Sequence, residues 1–169
     1  MKAAVVYDSV FGNTDKIAGA IADALRSQVG VEILQAGNLT SAQLLGSDLL
    51  IVGSPTRGFR PTETVTALLK GISSKALEGV KVAAFDTRLS ADDMDSAAAR
   101  FVINTGRYAA KRIANALSKA GGELVLPPEG FCVQATEGPL KTGELERAAE
   151  WATRTLNAAR TRIPSPFQP

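Results

Sequence analysis

Five short, mainly apolar runs, at residues 3–7, 31–34, 49–52, 80–85 and 131–133, the first of them apolar throughout, alternate with longer stretches in which apolar residues recur every three to four positions. A run that is apolar throughout suits a strand buried on both faces, and such strands belong to parallel sheets covered by helices. The amphipathic stretches supply those helices. Ile17, Ile21 and Leu25, with Ala18 and Ala22 beside them, make one stripe within 14–27. Val65, Leu68 and Leu69 make a second within 62–70, behind Pro61. A third, 107–120, carries Tyr108, Ile113 and Leu117 and stops at Gly121-Gly122. The last, 145–160, is predicted to turn Leu145, Ala149, Ala152 and Leu156 inward. The pattern predicts one doubly wound α/β domain over residues 1–163 and a frayed, proline-rich tail over 164–169. Residues 89–106 are long for a strand-to-helix connection, and Asp92, Asp93 and Asp95 could open a short helix there. Lid and plain insertion both stay open for it.

Composition removes whole classes of chemistry. The chain has 169 residues, one cysteine and no histidine. The Ser-His-Asp triad, the Cys-His pair and histidine-ligated metals are therefore out, as are an internal disulfide and a cysteine-based cluster. Nineteen Lys+Arg against seventeen Asp+Glu leave a net charge of +2, too mild for a nucleic-acid binder. No signal-peptide layout opens the sequence and no apolar run is long enough for a membrane span, so a cytoplasmic domain is expected.

In a sheet of this kind, ligands bind beyond the carboxyl ends of the strands. The loop after the first strand reads Asp8-Ser9-Val10-Phe11-Gly12-Asn13-Thr14 and leads into a helix. Small residues let backbone N–H groups turn inward at a helix N-terminus, which suits a phosphate dianion. The hydroxyls of Ser9 and Thr14 and the amide of Asn13 can add donors. The lysine-bearing nucleotide loop and the G-x-G-x-x-G fingerprint are both absent. Two further loops are candidates: Gly53-Ser54-Pro55-Thr56-Arg57-Gly58-Phe59 after strand three and Asp86-Thr87-Arg88-Leu89 after strand four.

The first loop resembles the phosphate loop of flavodoxin-like proteins, [ST]-x-[ST]-G-x-T, with Ser9, Gly12 and Thr14 matching and Phe11 in place of the second hydroxyl. That departure should remove one phosphate hydrogen bond. The second loop resembles the family segment that flanks the flavin ring, with Gly58 where a glycine peptide can flip toward the N5 proton of reduced flavin. The resemblance implies a five-stranded parallel sheet of order 2-1-3-4-5 with helices on both faces. It also implies non-covalent FMN and electron transfer between redox protein partners or a small-molecule donor and acceptor. The cofactor site it implies comprises Ser9, Val10, Phe11, Gly12, Asn13 and Thr14 around the phosphate. Pro55, Thr56, Arg57, Gly58, Phe59, Asp86, Thr87 and Arg88 then enclose the isoalloxazine. Arg57 and Arg88 stand where the family commonly has Trp, Met or Tyr, and positive charge at the ring edge should raise the hydroquinone potential relative to acidic flavodoxins.

Two other readings remain open: an FMN-dependent NAD(P)H or quinone reductase, and a flavodoxin fold that has lost FMN and serves as a binding module. Cys132, inside an apolar strand, reads as an inert thiol, and Trp151 as core. A phosphoacceptor receiver of the same topology does not match, since strand three ends in Gly53-Ser54-Pro55-Thr56 without an acid. The 136–144 loop resembles segments of some flavodoxin-like sequences, with no chemistry attached.

Overall fold

Alternate residues of each apolar strand feed two separate cores, which is the reason these strands carry no polar face. A computed structural model describes residues 1–93, 96–105 and 108–161. On β1 (Lys2–Tyr7), Ala3 and Val5 face one helical layer while Ala4 and Val6 face the other. The same division holds in β3 (Leu49–Pro55), with Leu49 and Ile51 against Leu50 and Val52, and in β4 (Lys81–Leu89), with Ala83 and Phe85 against Val82 and Ala84. All strand pairs are parallel, and β2 (Gly30–Gln35) lies outside β1, giving the order β2-β1-β3-β4-β5.

The expected fifth strand is two. β5 (Glu123–Leu124) pairs with the start of β4, and β6 (Glu129–Val133) pairs with its end. Pro127 and Pro128 lie between them and have no N–H to contribute to a ladder. β6 also accounts for a second difference. Asp86, Thr87 and Arg88 belong to β4 itself, opposite Gly130, Phe131 and Cys132, rather than to a loop beyond it.

Helices α1 (Asn13–Arg26) and α5 (Glu144–Arg160) cover one face; α2 (Glu63–Lys70) and α4 (Ala109–Lys119) cover the other. Trp151 is almost fully buried and meets Phe85 and Phe131 edge to face, with ring centroids 6.1–6.2 Å apart. That cluster fixes the rotation of α5. Its inner face is Ala148, Ala152, Leu156 and Ala159, whereas Leu145 is 41% exposed, contrary to the sequence reading. Glu144 and Arg147 hold the first turn instead: Glu144 accepts the Cys132 N–H at 2.6 Å, and Arg147 lies over the Phe131 ring and donates to the Gly130 carbonyl.

Within the long connection after β4, α3 (Ala97–Asn104) forms, with Phe101 71% exposed. The expected tail, 164–169, lies outside the described residues. Among the described residues no helix is long and apolar enough to cross a membrane.

Candidate functional site

The carboxyl ends of β1, β3, β4 and β6 surround a cavity of about 330 Å³. Eleven of the fourteen expected site residues line it: Val10, Phe11, Asn13, Thr14, Pro55, Thr56, Arg57, Gly58, Phe59, Thr87 and Arg88. Ser9, Gly12 and Asp86 do not. Leu89, the last residue of the candidate segment after strand four, completes the wall with Tyr108, Val133 and Thr136, which were not foreseen. The strand-end rule applies equally to the last strand, so the loop after Val133 was the available signal for Thr136.

The first loop is built around Ser9 and Gly12. Gly12 stands at φ +86°, a left-handed conformation that glycine adopts without a side-chain penalty. The turn it makes lets the Ser9 hydroxyl oxygen accept from the Gly12 N–H at 3.1 Å and the Asp15 N–H at 3.3 Å. Both contacts use Ser9 as an acceptor, so its own proton stays available. Among the described residues, the N–H groups of Val10, Phe11, Asn13 and Thr14 meet no protein acceptor. Four backbone donors and a hydroxyl proton thus stand without a protein acceptor within residues 9–14, at the start of a fourteen-residue helix that adds positive potential.

Two expected donors are engaged elsewhere. The Asn13 amide donates to the Glu137 carbonyl at 3.0 Å, tying the 136–144 loop onto this one. Thr14 is buried, and its hydroxyl lies 2.8 Å from that of Thr87, linking α1 to β4 beneath the cavity. Phe11 does not plug the hollow: its ring is 45% exposed, with the Arg57 guanidinium 5.6 Å from its centroid. Just before the loop, the Tyr7 hydroxyl donates to Asp15, and that bond, with burial, pushes the phenol pKa up to about 12.

The second loop closes as a tight turn. Arg57 and Arg60 exchange backbone hydrogen bonds at 2.9 and 3.0 Å, with Gly58 at φ +52° and Phe59 at φ +64° between them. Both central residues are left-handed, as a type I′ turn demands, and for Phe59 that conformation is strained. The strain holds a half-buried phenyl ring at the cavity wall.

Asp86 is placed against the sequence reading. It is fully buried on the α4 side of β4 and accepts from the Ala110 N–H at 2.8 Å, capping α4 from a neighbouring strand. Arg88 grips the same carboxylate with Nε and Nη2 at 2.5 and 2.8 Å, while its guanidinium stacks 3.4 Å from the centre of the Tyr108 ring. Burial pushes the Asp86 carboxyl above its ordinary range, against the pull of Arg88, the Ala110 N–H and Thr56. Arg88 therefore carries no free charge toward the cavity, and the expected electrostatic effect rests on Arg57 alone. The Cys132 thiol is pushed up by burial and by Glu144, which leaves it a poor nucleophile.

The flavodoxin family model matches residues 5–151. Among solved structures, oxidised flavodoxin 1 from Bacillus cereus shares 18% identity at TM-score 0.74, over 93% of this chain and 98% of that one. A WrbA-like flavodoxin from Agrobacterium tumefaciens shares 22% at TM-score 0.67, over 94% and 97%. The rubredoxin oxygen:oxidoreductase of Desulfovibrio gigas shares 20% at TM-score 0.71, over 97% of this chain but 37% of its own. No curated protein matches the chain in sequence.

Proposed function

Because this chain belongs to the flavodoxin family, whose cofactor is FMN and whose work is electron transfer, we propose that the cavity at the strand ends is where FMN sits. The observation carrying that placement is the set of unengaged amides at Val10, Phe11, Asn13 and Thr14, gathered at a helix N-terminus. In this reading those amides and the Ser9 hydroxyl hold the phosphate, and no lysine is needed. Pro55, Thr56, Arg57, Gly58 and Phe59 form one wall of the ring site. Thr87, Leu89 and Tyr108 form the other.

When bound, FMN supplies the one- and two-electron chemistry that the side chains lack. The chain's own residues bind, orient and shield it. Arg88 acts indirectly: clamped by Asp86, it fixes the Tyr108 ring at the wall. Gly58, already at positive φ, can reorient its peptide without a side-chain penalty.

Purified protein is expected to be yellow, and apoprotein to regain the flavin spectrum on titration with FMN. Ser9→Ala should weaken FMN binding by about tenfold or more, since a hydrogen bond to a charged group contributes about 1.5–3 kcal/mol. Colourless protein without FMN affinity would overturn the placement. Steady-state NAD(P)H oxidation by the isolated holoprotein separates the two redox readings, because a carrier needs a separate reductase.

A further inference from the structure

The mouth of the cavity continues into a chain of cations. Arg57 and Val10 line both the cavity and a shallow groove beside it; Arg60, Pro61, Thr66 and Lys70 carry that groove into a third hollow, of about 670 Å³, between α2 and α4. The third hollow is bordered by Arg60, Lys70, Arg112 and Lys119 and by no carboxylate. Asp8 and Glu63 are the acids of the intermediate groove. All five cations along the path are exposed, and among the described residues none of them forms an ion pair. This contrasts with the other basic side chains near strand ends, where Lys81, Arg88, Lys141 and Arg147 are each matched by an acid. A net charge of only +2 makes this concentration local.

We propose that the α2–α4 face and the rim of the cavity together form a docking surface for an acidic protein that exchanges electrons with this one. The proposal rests on the FMN placement only in putting the electron exit at the cavity mouth. Charge complementarity selects the partner: unpaired cations raise the local concentration of an anionic surface and speed its encounter. Geometry favours a protein over a single phosphate. Arg60, Lys70, Arg112 and Lys119 come from three separate segments, and Arg112 and Lys119 alone are seven residues apart on α4, about 10 Å along the helix, a spread that suits an extended anionic surface. Between the cations, Leu69, Ile72 and Ala116 give the hollow an apolar floor. At the cavity rim Val10 and Phe11 are each 45% exposed. An apolar centre within a charged border is how specific protein interfaces are organised.

The test uses a fluorescent decaglutamate peptide, read by anisotropy with apo- and holoprotein, beside vesicles of phosphatidylserine. Peptide binding is expected to weaken steadily with ionic strength. Arg112→Glu should cost about tenfold or more, within the range of electrostatic steering, while Arg154→Glu, an equal charge change on exposed α5 surface, should cost less than about twofold. Equal losses in the two variants would assign the effect to net charge and overturn the proposal. So would groove-dependent vesicle binding without peptide binding. Oxidation of the reduced holoprotein by hexacyanoferrate(III), which takes one electron per ion, should slow with added salt and in Arg60→Glu. Oxidation by hexaammineruthenium(III) should respond in the opposite sense. If FMN does not bind at all, the apoprotein arm still reads the groove, so the two readings fail separately.

Discussion

Asp86 and Arg88 show how a single strand position can reverse the meaning of a side chain. Read as loop residues they face a ligand; held in β4 opposite β6, they face α4 and each other. Nothing in the wording Asp86-Thr87-Arg88-Leu89 announces this, because the deciding partner, β6, pairs Gly130 with Asp86 from far along the chain and is set off from β5 by Pro127 and Pro128. The energetic consequence is specific. Asp86→Ala leaves a guanidinium that is 18% exposed without its carboxylate, and breaking such a pair costs about 3–5 kcal/mol. The double variant Asp86→Leu/Arg88→Met removes both charges and should recover most of that loss, since a buried pair is often no better than apolar groups of similar size. Urea denaturation of the two variants checks the sign and the non-additivity. A full loss in the double variant would mean that the α4 cap, rather than the ion pair, carries the stability.

At the scale of elements, what could be read in advance was whatever local pattern decides. The core strands and the four helices that cover the sheet follow from periodicity, since each of those strands feeds two cores and each of those helices buries one stripe. What escaped was set by contacts between distant segments. The inner face of α5 is turned by Trp151 between Phe85 and Phe131 and by Glu144 on the Cys132 N–H, so Leu145 points outward despite its place in a plausible stripe. The 136–144 loop had a recognisable wording but no visible purpose until Asn13 was seen to donate to Glu137. That latch gives Gly138 a role. It stands at φ +104°, and a Cβ there would lie 2.6 Å from the Asn13 side-chain oxygen. Gly138→Ala is expected to destabilise the protein by about 1–3 kcal/mol through backbone strain and to weaken FMN binding by displacing Asn13. Thermal melts and flavin fluorescence titration measure the two effects. Asn13→Ala in the same background should relieve the steric part and leave the strain.

For the whole molecule, the two cores are built within the sheet and helices, whereas the site is assembled from segments that contacts such as Asn13 to Glu137, Thr14 to Thr87, Thr56 N–H to the Thr87 carbonyl at 2.9 Å, and Ala109 N–H to Thr56 at 3.0 Å bring together. A ligand spanning the first loop, the second loop and the end of β4 adds further cross-links, so it should raise stability as well as colour the protein. Free FMN at one hundred times its dissociation constant stabilises by about 2.7 kcal/mol, and for a domain of this size each kcal/mol moves the melting temperature by about 2–4 °C. The expected rise is therefore about 5–11 °C. Riboflavin has the same ring and lacks the phosphate, so it isolates the amide cradle. At equal concentration riboflavin should shift the melt far less than FMN, and Ser9→Ala should narrow the gap by lowering the FMN response alone. Equal shifts from the two flavins would mean that the four free amides at the start of α1 hold no phosphate, and that any flavin binding depends on the walls of the ring site instead.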